Sequence, residues 1–105
     1  MGVDYKWGGS AGGSRFGQEL DRVAQLFGGK RIEGSKGPNK YGLPDGTNPC
    51  VVKFFDHPYG PLSIEETKTV WAEFQKHPEI EEIMSEMWNE FRCDAMYDEG
   101  FELSY

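Results

Sequence analysis

Residues 79–97 read EIEEIMSEMWNEFRCDAMY, and this stretch combines a helical pattern with much of the charge of the chain. Pro78 precedes it, and Gly100 follows it, as expected for residues that flank a helix. The spacing therefore predicts a helix over residues 79–97. One apolar side recurs at 3.6 residues per turn and is expected to face the core: Ile80, Ile83, Met84, Met87, Trp88, Phe91 and Ala95.

The opposite side of the predicted helix is acidic. Its carboxylates follow one another at intervals of four: Glu82, Glu86, Glu90 and Asp94. This spacing predicts an outward-facing row with steps of about 6 Å. Like charges one turn apart disfavour an isolated helix by a few tenths of a kcal/mol per pair, and no lysine is interleaved to relieve them. Residues 79–105 contain nine acidic residues and one basic residue, which is a net charge of −8. The negative charge of this segment is therefore larger than the net charge of −7 of the whole chain.

We interpret the acidic row as a surface that binds a basic protein. Carboxylates on a rigid helix resemble a run of phosphates, so they can occupy the nucleic-acid-binding cleft of another protein and inhibit or sequester it. In size and charge the chain is similar to small acidic inhibitors of phages and other mobile elements. The simpler interpretation is a solvated helix face that favours solubility. The predicted partner-binding residues are Glu79, Glu82, Glu86, Glu90, Asp94, Tyr97 and Asp98.

Two alternatives for function involve other segments. The turn-rich loop 34–49, with Tyr41 and the nearby Tyr59, is a candidate contact surface of a generic protein-binding module. The Gly-rich segment 8–15 is a candidate nucleotide site, because loose backbone N–H groups before a helix bind phosphate. That segment lacks the lysine of a P-loop, and Arg15 is the cation nearest to it.

The remaining periodicity predicts a single α+β domain over residues 1–105. Strands are predicted at 3–7, 30–33, 50–55 and 101–105, and further helices at 15–27 and 64–76. Ser14 is expected to cap the first helix, and Ser63 with Glu66 forms a capping box for the second. Alternation at 3–7 and 101–105 suggests that the two chain ends pair. We therefore expect a small, mainly antiparallel sheet with about three helices packed on one face.

Several functional classes are disfavoured by the sequence. The soft metal ligands Cys50, His57, His77 and Cys93 match no zinc spacing, so neither a metal nor another cofactor is expected. No catalytic motif is present, which predicts a protein that is not an enzyme. The acidic composition argues against direct contact with nucleic acid or an anionic membrane. Two cysteines, and the lack of an apolar span or a signal peptide, favour a cytoplasmic location.

Overall fold

Helices dominate residues 2–32 and 41–104, which the computed structural model describes. The helices are α1 (Gly13–Leu26), α2 (Pro49–Asp56), α3 (Ile64–Phe74), α4 (Glu79–Ile83) and α5 (Ser85–Met96). The strands are β1 (Gly2–Asp4), β2 (Ser10–Gly12), β3 (Lys30–Arg31) and β4 (Tyr41–Gly42). The predicted α+β class is confirmed. The details differ, because the described residues form two separate two-stranded antiparallel sheets and five helices.

Helices α1 and α3 follow the predicted pattern. In α3 the Ser63 hydroxyl accepts from the Glu66 backbone N–H at 3.1 Å, and the Glu66 carboxylate accepts from the Ser63 N–H at 2.9 Å. The predicted capping box is therefore confirmed. In α1 the apolar side is buried as expected, and Gly28 ends the helix with a φ of +77°. Ser14 does not cap α1, because the helix begins earlier, at Gly13.

The predicted strand at 50–55 is wrong, since these residues belong to α2. The Asn48 side chain accepts from the Cys50 N–H at 2.9 Å, and Pro49 occupies the first turn, so the local signals are those of a helix start. Val51, Phe54 and Phe55 are buried, and their spacing of three and four residues is helical. The β-branched and aromatic composition concealed this spacing.

The two chain ends pair, but over a shorter length than predicted. Asp4 donates its N–H to the Ser104 carbonyl at 2.8 Å, and Ser104 donates back at 3.1 Å. This single bridge is the only sheet pairing described for the predicted strand 101–105. Strand β1 ends at Asp4, and residues 5–9, which we call the hairpin tip, turn the chain back into β2. In the second sheet, the predicted strand 30–33 is reduced to β3, and residue 33 lies outside the described residues.

An aromatic cluster around Phe54 of α2 forms the centre of the core. Its ring lies 5.7 Å from Phe74 of α3, 5.3 Å from Phe91 of α5 and 5.6 Å from Phe101, measured between ring centroids and in edge-on geometry. Such contacts between aromatic rings are favourable beyond the burial of their area. This cluster fixes α5 between the core and the hairpin tip.

The extent of the domain, residues 1–105, stays a prediction.

Candidate functional site

The predicted helix 79–97 is divided into α4 and α5 at Met84. Met84 has φ −146° and ψ 66°, and its side chain is fully buried. Neither a glycine nor a proline marks residues 83–86, so the break has no local signal in the sequence. The apolar side is confirmed as core through the burial of Ile80, Met84, Met87 and Phe91. The break means that the carboxylates of α4 do not continue the line of those on α5.

The hairpin tip covers the acidic side of α5. Lys6 donates its backbone N–H to Glu90 Oε1 at 2.8 Å, and its ammonium group lies 3.0 Å from Asp94 Oδ1. The Trp7 indole Nε1–H donates to the same Asp94 oxygen at 2.7 Å. Glu90 and Asp94 are consequently fully buried. The prediction that both residues point outward is wrong, because the spacing of a helix does not say what packs against each side.

Glu86 is also engaged within the protein. Arg15 of α1 lies 2.9 Å from its carboxylate, and the same guanidinium donates to the Ser10 carbonyl at 2.8 Å. Burial acts to raise the pKa of Glu86, but the hydrogen bond and charge of Arg15 outweigh it and hold the pKa below its usual value. Gly9 permits this packing, since it has φ +92° and a Cβ there would lie 3.0 Å from Glu86 Cγ. The part of the predicted row that lies on α5, namely Glu86, Glu90 and Asp94, therefore contacts other residues of the protein.

Glu90 and Asp94 form a buried carboxyl pair. Burial and the neighbouring carboxyl group of Asp94 raise the pKa of Glu90 to about 8, against the opposing effect of Lys6. Glu90 Oε2 and Asp94 Oδ2 are buried without a hydrogen-bond donor. Burial opposes the charge on Lys6, but its hydrogen bond to Asp94 prevails and raises the pKa of Lys6. The Lys6 ammonium also lies 3.3 Å from Glu99 and 3.0 Å from the Gly100 carbonyl.

An exposed apolar surface lies where the hairpin tip meets the end of α5. The indole of Trp7 stacks on the ring of Tyr97 with 5.1 Å between centroids. The exposed fractions are 37% for Trp7, 59% for Tyr97 and 56% for Met96, the neighbour of Tyr97 in the chain. We call these three residues the aromatic patch. Asp98 follows directly, with φ +55°, and makes a salt bridge to Lys68 of α3.

The carboxylates of α4 are in a different environment. Glu79 and Glu82 are exposed, as is Glu81 between them. Within the described part of the chain, no lysine, arginine or histidine lies within 4.0 Å of these carboxylates. The predicted site residues are thus divided among three places: free on α4, covered on α5, and exposed beyond the end of α5.

Three residues of this arrangement were not predicted as part of the site: Lys6, Trp7 and Arg15 in its role toward Glu86. Residues 3–7 were predicted as one strand, whereas β1 ends at Asp4, before Lys6 and Trp7. A usable signal was Gly8-Gly9, which marks a turn directly after Trp7. A lysine and a tryptophan beside such a turn are candidates for contacts across the fold.

The two alternative sites are only partly described. Residues 34–40 of the predicted loop 34–49 lie outside the described ranges, and Tyr41 is buried with its hydroxyl donating to Asp21. Arg15, the cation of the nucleotide alternative, pairs with Glu86. A small cavity of about 160 Å³ lies elsewhere, between α1 and β3, and its lining includes Asp21 beside Lys30 and Arg31.

No protein-family model, curated protein or solved structure matches this chain. Among residues 2–32 and 41–104, no three histidine, cysteine or acidic side chains are grouped to hold a metal ion. The helices of the same two ranges are too short or too polar to cross a bilayer. Inference about function therefore depends on the arrangement of the side chains described above.

Proposed function

We propose that the protein is a small, acidic, non-enzymatic protein that binds a basic partner protein through the aromatic patch. The observation that supports this most directly is the stacked pair of Trp7 and Tyr97, which is exposed and held in place from beneath by the bond from Trp7 to Asp94. Tryptophan and tyrosine are enriched among the residues that dominate binding energy at protein interfaces.

The aromatic patch is pre-organised, which favours its use as a contact. Trp7 is fixed by stacking and by its 2.7 Å hydrogen bond, so ordering it on binding costs little further side-chain entropy. Tyr97 extends from the end of a helix that packs against the core through Met87 and Phe91. A rigid pair of rings of this kind is suited to receive an apolar or cationic side chain of a partner.

The charge of the protein indicates a basic partner. The chain has a net charge of −7, and Glu79 and Glu82 remain exposed and without an internal cation in the described structure. These carboxylates are suited to attract a basic protein from a distance. The salt bridges Asp98–Lys68 and Glu99–Lys6 involve exposed side chains, and such pairs contribute little stability. Asp98 is therefore able to exchange Lys68 for a cation of the partner.

The negative charge of the protein also indicates which class of partner it binds and what binding does to that partner. Proteins that handle nucleic acids, among them enzymes that act on nucleic acid, expose the lysines and arginines that an acidic protein requires. We propose that a protein of this class is inhibited or sequestered. Exposed Glu79 and Glu82 supply the phosphate-like charge, whereas Glu86, Glu90 and Asp94 support the surface from within. We further propose a cytoplasmic location, which agrees with free thiols at Cys50 and Cys93.

The test captures a partner with the unchanged protein and then compares its affinity for two variants with substitutions at exposed positions. The intact protein is cross-linked in lysate at low salt, and the captured protein is identified, purified and titrated by calorimetry. We expect a basic partner whose affinity falls about tenfold or more in the double variant Met96→Ser, Tyr97→Ser, because both apolar contacts are lost. Ile64→Ser removes another exposed apolar side chain, on α3, and serves as the matched control.

The control is expected to bind as the unchanged protein does. A captured partner that is acidic, or one that binds the Met96→Ser, Tyr97→Ser variant with full affinity, would contradict the proposal. Thermal unfolding of both variants is measured in parallel, since substitution at exposed positions should leave the free energy of unfolding within about 0.5 kcal/mol.

A further inference from the structure

We propose that Glu90 and Asp94 share one proton, and that loss of this proton releases the hairpin tip from α5 and removes Trp7 from the aromatic patch. The device couples a buried carboxyl pair to an exposed surface. The link between them is Trp7, whose indole N–H bonds to Asp94 and whose ring stacks on Tyr97.

The hydrogen bonds of the carboxyl pair favour a single shared proton. Glu90 Oε1 accepts the Lys6 N–H, and Asp94 Oδ1 accepts from both the Lys6 ammonium and Trp7. The other two oxygens, Glu90 Oε2 and Asp94 Oδ2, are buried and have no donor. Two ionised carboxylates offer only acceptors, whereas one proton converts one group into a donor to the other. The described geometry is therefore satisfied best by the pair in its singly protonated state.

The surrounding charges do not compensate a second buried carboxylate. Among the described residues, Lys6 is the cation that reaches the pair: its ammonium group lies 3.0 Å from Asp94 Oδ1 and 3.9 Å from Glu90 Oε2, and it is shared with Glu99. Arg15 pairs with Glu86, and Lys68 of α3 pairs with Asp98. Tyr5 of the hairpin tip faces Glu90, and Glu19 of α1 faces Tyr5 in turn; neither supplies a positive charge. An additional negative charge at Glu90 thus has to be hydrated or neutralised by movement.

The hairpin tip is the part of this site that is able to move. Helix α5 is fixed from its other side by the fully buried Met87 and Phe91. The tip is a short turn with Gly8 and Gly9 at positive φ, and its Lys6 and Trp7 side chains are partly exposed. Tyr5, at the start of the tip, is buried in the core and holds that end in place, so the movement is confined to Lys6, Trp7 and the glycines after them. Lifting these residues admits water to both carboxylates. Burial and Asp94 raise the pKa of Glu90 to about 8, which places the release just above neutral pH.

The consequence for partner binding depends on the proposed function, because the patch loses one of its two rings when Trp7 leaves Tyr97. The release itself does not require a partner. It is measured on the free protein, so that the absence of a pH-dependent release is distinguishable from a failure of the proposed function.

The experiment follows the fluorine resonances of the intact protein labelled with 5-fluorotryptophan from pH 6 to pH 9.5. We expect the Trp7 resonance to move to its solvent-exposed position with a midpoint near pH 8. Trp71 and Trp88 pack against each other with 4.8 Å between ring centroids and provide internal references. Their resonances should stay constant. A Trp7 resonance that does not change over this range would overturn the proposal.

Three variants test the assignment to Glu90. Glu90→Gln cannot ionise, and its amide donates to Asp94, so the Trp7 transition should be lost with the docked resonance retained. Asp94→Asn removes the negative charge that raises the pKa of Glu90 and weakens the contact with the Lys6 ammonium, so both effects should move the midpoint to lower pH. Glu82→Gln, on the exposed side of α4, should leave the transition unchanged.

A transition that persists in Glu90→Gln, or a midpoint that rises or stays constant in Asp94→Asn, would also overturn the proposal. If Glu90→Gln does not fold, the direction of the Asp94→Asn shift still decides the outcome.

Discussion

Two groups of carboxylates on consecutive helices have opposite environments. Glu79 and Glu82 of α4 are exposed and have no internal cation in the described structure, whereas Glu90 and Asp94 of α5 are fully buried beneath the hairpin tip. All four belong to one predicted helical stretch. The difference arises from Lys6 and Trp7, whose described hydrogen bonds and ion pairs reach α5 and the residues directly after it but none of the α4 carboxylates. Acidic residues at helical spacing therefore serve either as surface charge or as structural anchors, depending on a segment that is distant in the sequence.

Charge reversal in each group of carboxylates tests this difference most directly. Asp94→Lys places a second cation beside Lys6 and removes the acceptor of Trp7, so it should lower the free energy of unfolding by about 3–5 kcal/mol. The matched reversal Glu82→Lys should change it by no more than about 0.5 kcal/mol. Urea unfolding followed by circular dichroism measures both. Equal stabilities would show that Asp94 is not buried as described.

The pH dependence of stability provides a second difference. The pKa of Glu90 is raised from 4.5 to about 8 in the folded protein, so the folded state binds this proton more tightly than the unfolded state. Its stabilising contribution is fully present below pH 4.5 and is lost as the pH rises through about 8. Burial raises the pKa of Glu19 as well and adds in the same direction.

We therefore expect the free energy of unfolding to be larger at pH 5.5 than at pH 8.5, by about 1 kcal/mol or more. Urea unfolding at both values checks this, and Glu90→Gln should flatten most of the dependence. Glu86 has the opposite sign, because its lowered pKa contributes stability that is lost on acidification below about pH 4.5. Stability that rises steadily from pH 5.5 to pH 8.5 would contradict the buried carboxyl pair.

A smaller loss of stability is expected when the hydrogen bond that attaches Trp7 of the hairpin tip to Asp94 is removed. Trp7→Phe keeps an aromatic ring against Tyr97 but removes the N–H donor to Asp94, which should cost about 1–3 kcal/mol because a buried acceptor loses a partner. Lys68→Met removes the partner of exposed Asp98 and should cost at most about 1 kcal/mol. Thermal unfolding compares the two variants. A larger loss for Lys68→Met would reverse the expected order of these contacts.

Much of the fold follows from local signals. Ser63 and Glu66 predict the start of α3, and the apolar side of residues 79–97 is the buried side. The failures have physical causes. The β-branched and aromatic composition of residues 50–55 predicted a strand, although the Asn48-Pro49 start and the spacing of Val51 and Phe54 are helical. The break at Met84 has no proline or glycine to signal it.

The candidate site was harder to predict than the fold. Tyr97 and Asp98 are exposed as expected, and so are Glu79 and Glu82. Helical periodicity separates an apolar side from a polar side, but a polar side that faces a lysine has the same pattern as one that faces water. Lys6 and Asp94 are 88 residues apart in the chain, so no local pattern connects them.

The smallest expected effect concerns the free carboxylates of α4. In the double variant Glu79→Gln, Glu82→Gln, the association rate with the proposed basic partner should fall a few-fold, with little change in dissociation, because charges outside a desolvated contact act mainly on encounter. Stopped-flow kinetics at low salt measures both rates. An unchanged association rate would limit the role of α4 to solubility.

The separation of Lys6 and Asp94 also has a consequence for the order in which the chain folds. A nascent chain lengthens by about 5–20 residues per second, so Lys6 is synthesised on the order of ten seconds before Asp94. Contacts between residues so far apart form late, because the intervening chain has to be ordered first. Until α5 is synthesised, the indole of Trp7 lacks its hydrogen-bond acceptor, and the hairpin of β1 and β2 lacks the helix that it covers in the folded protein.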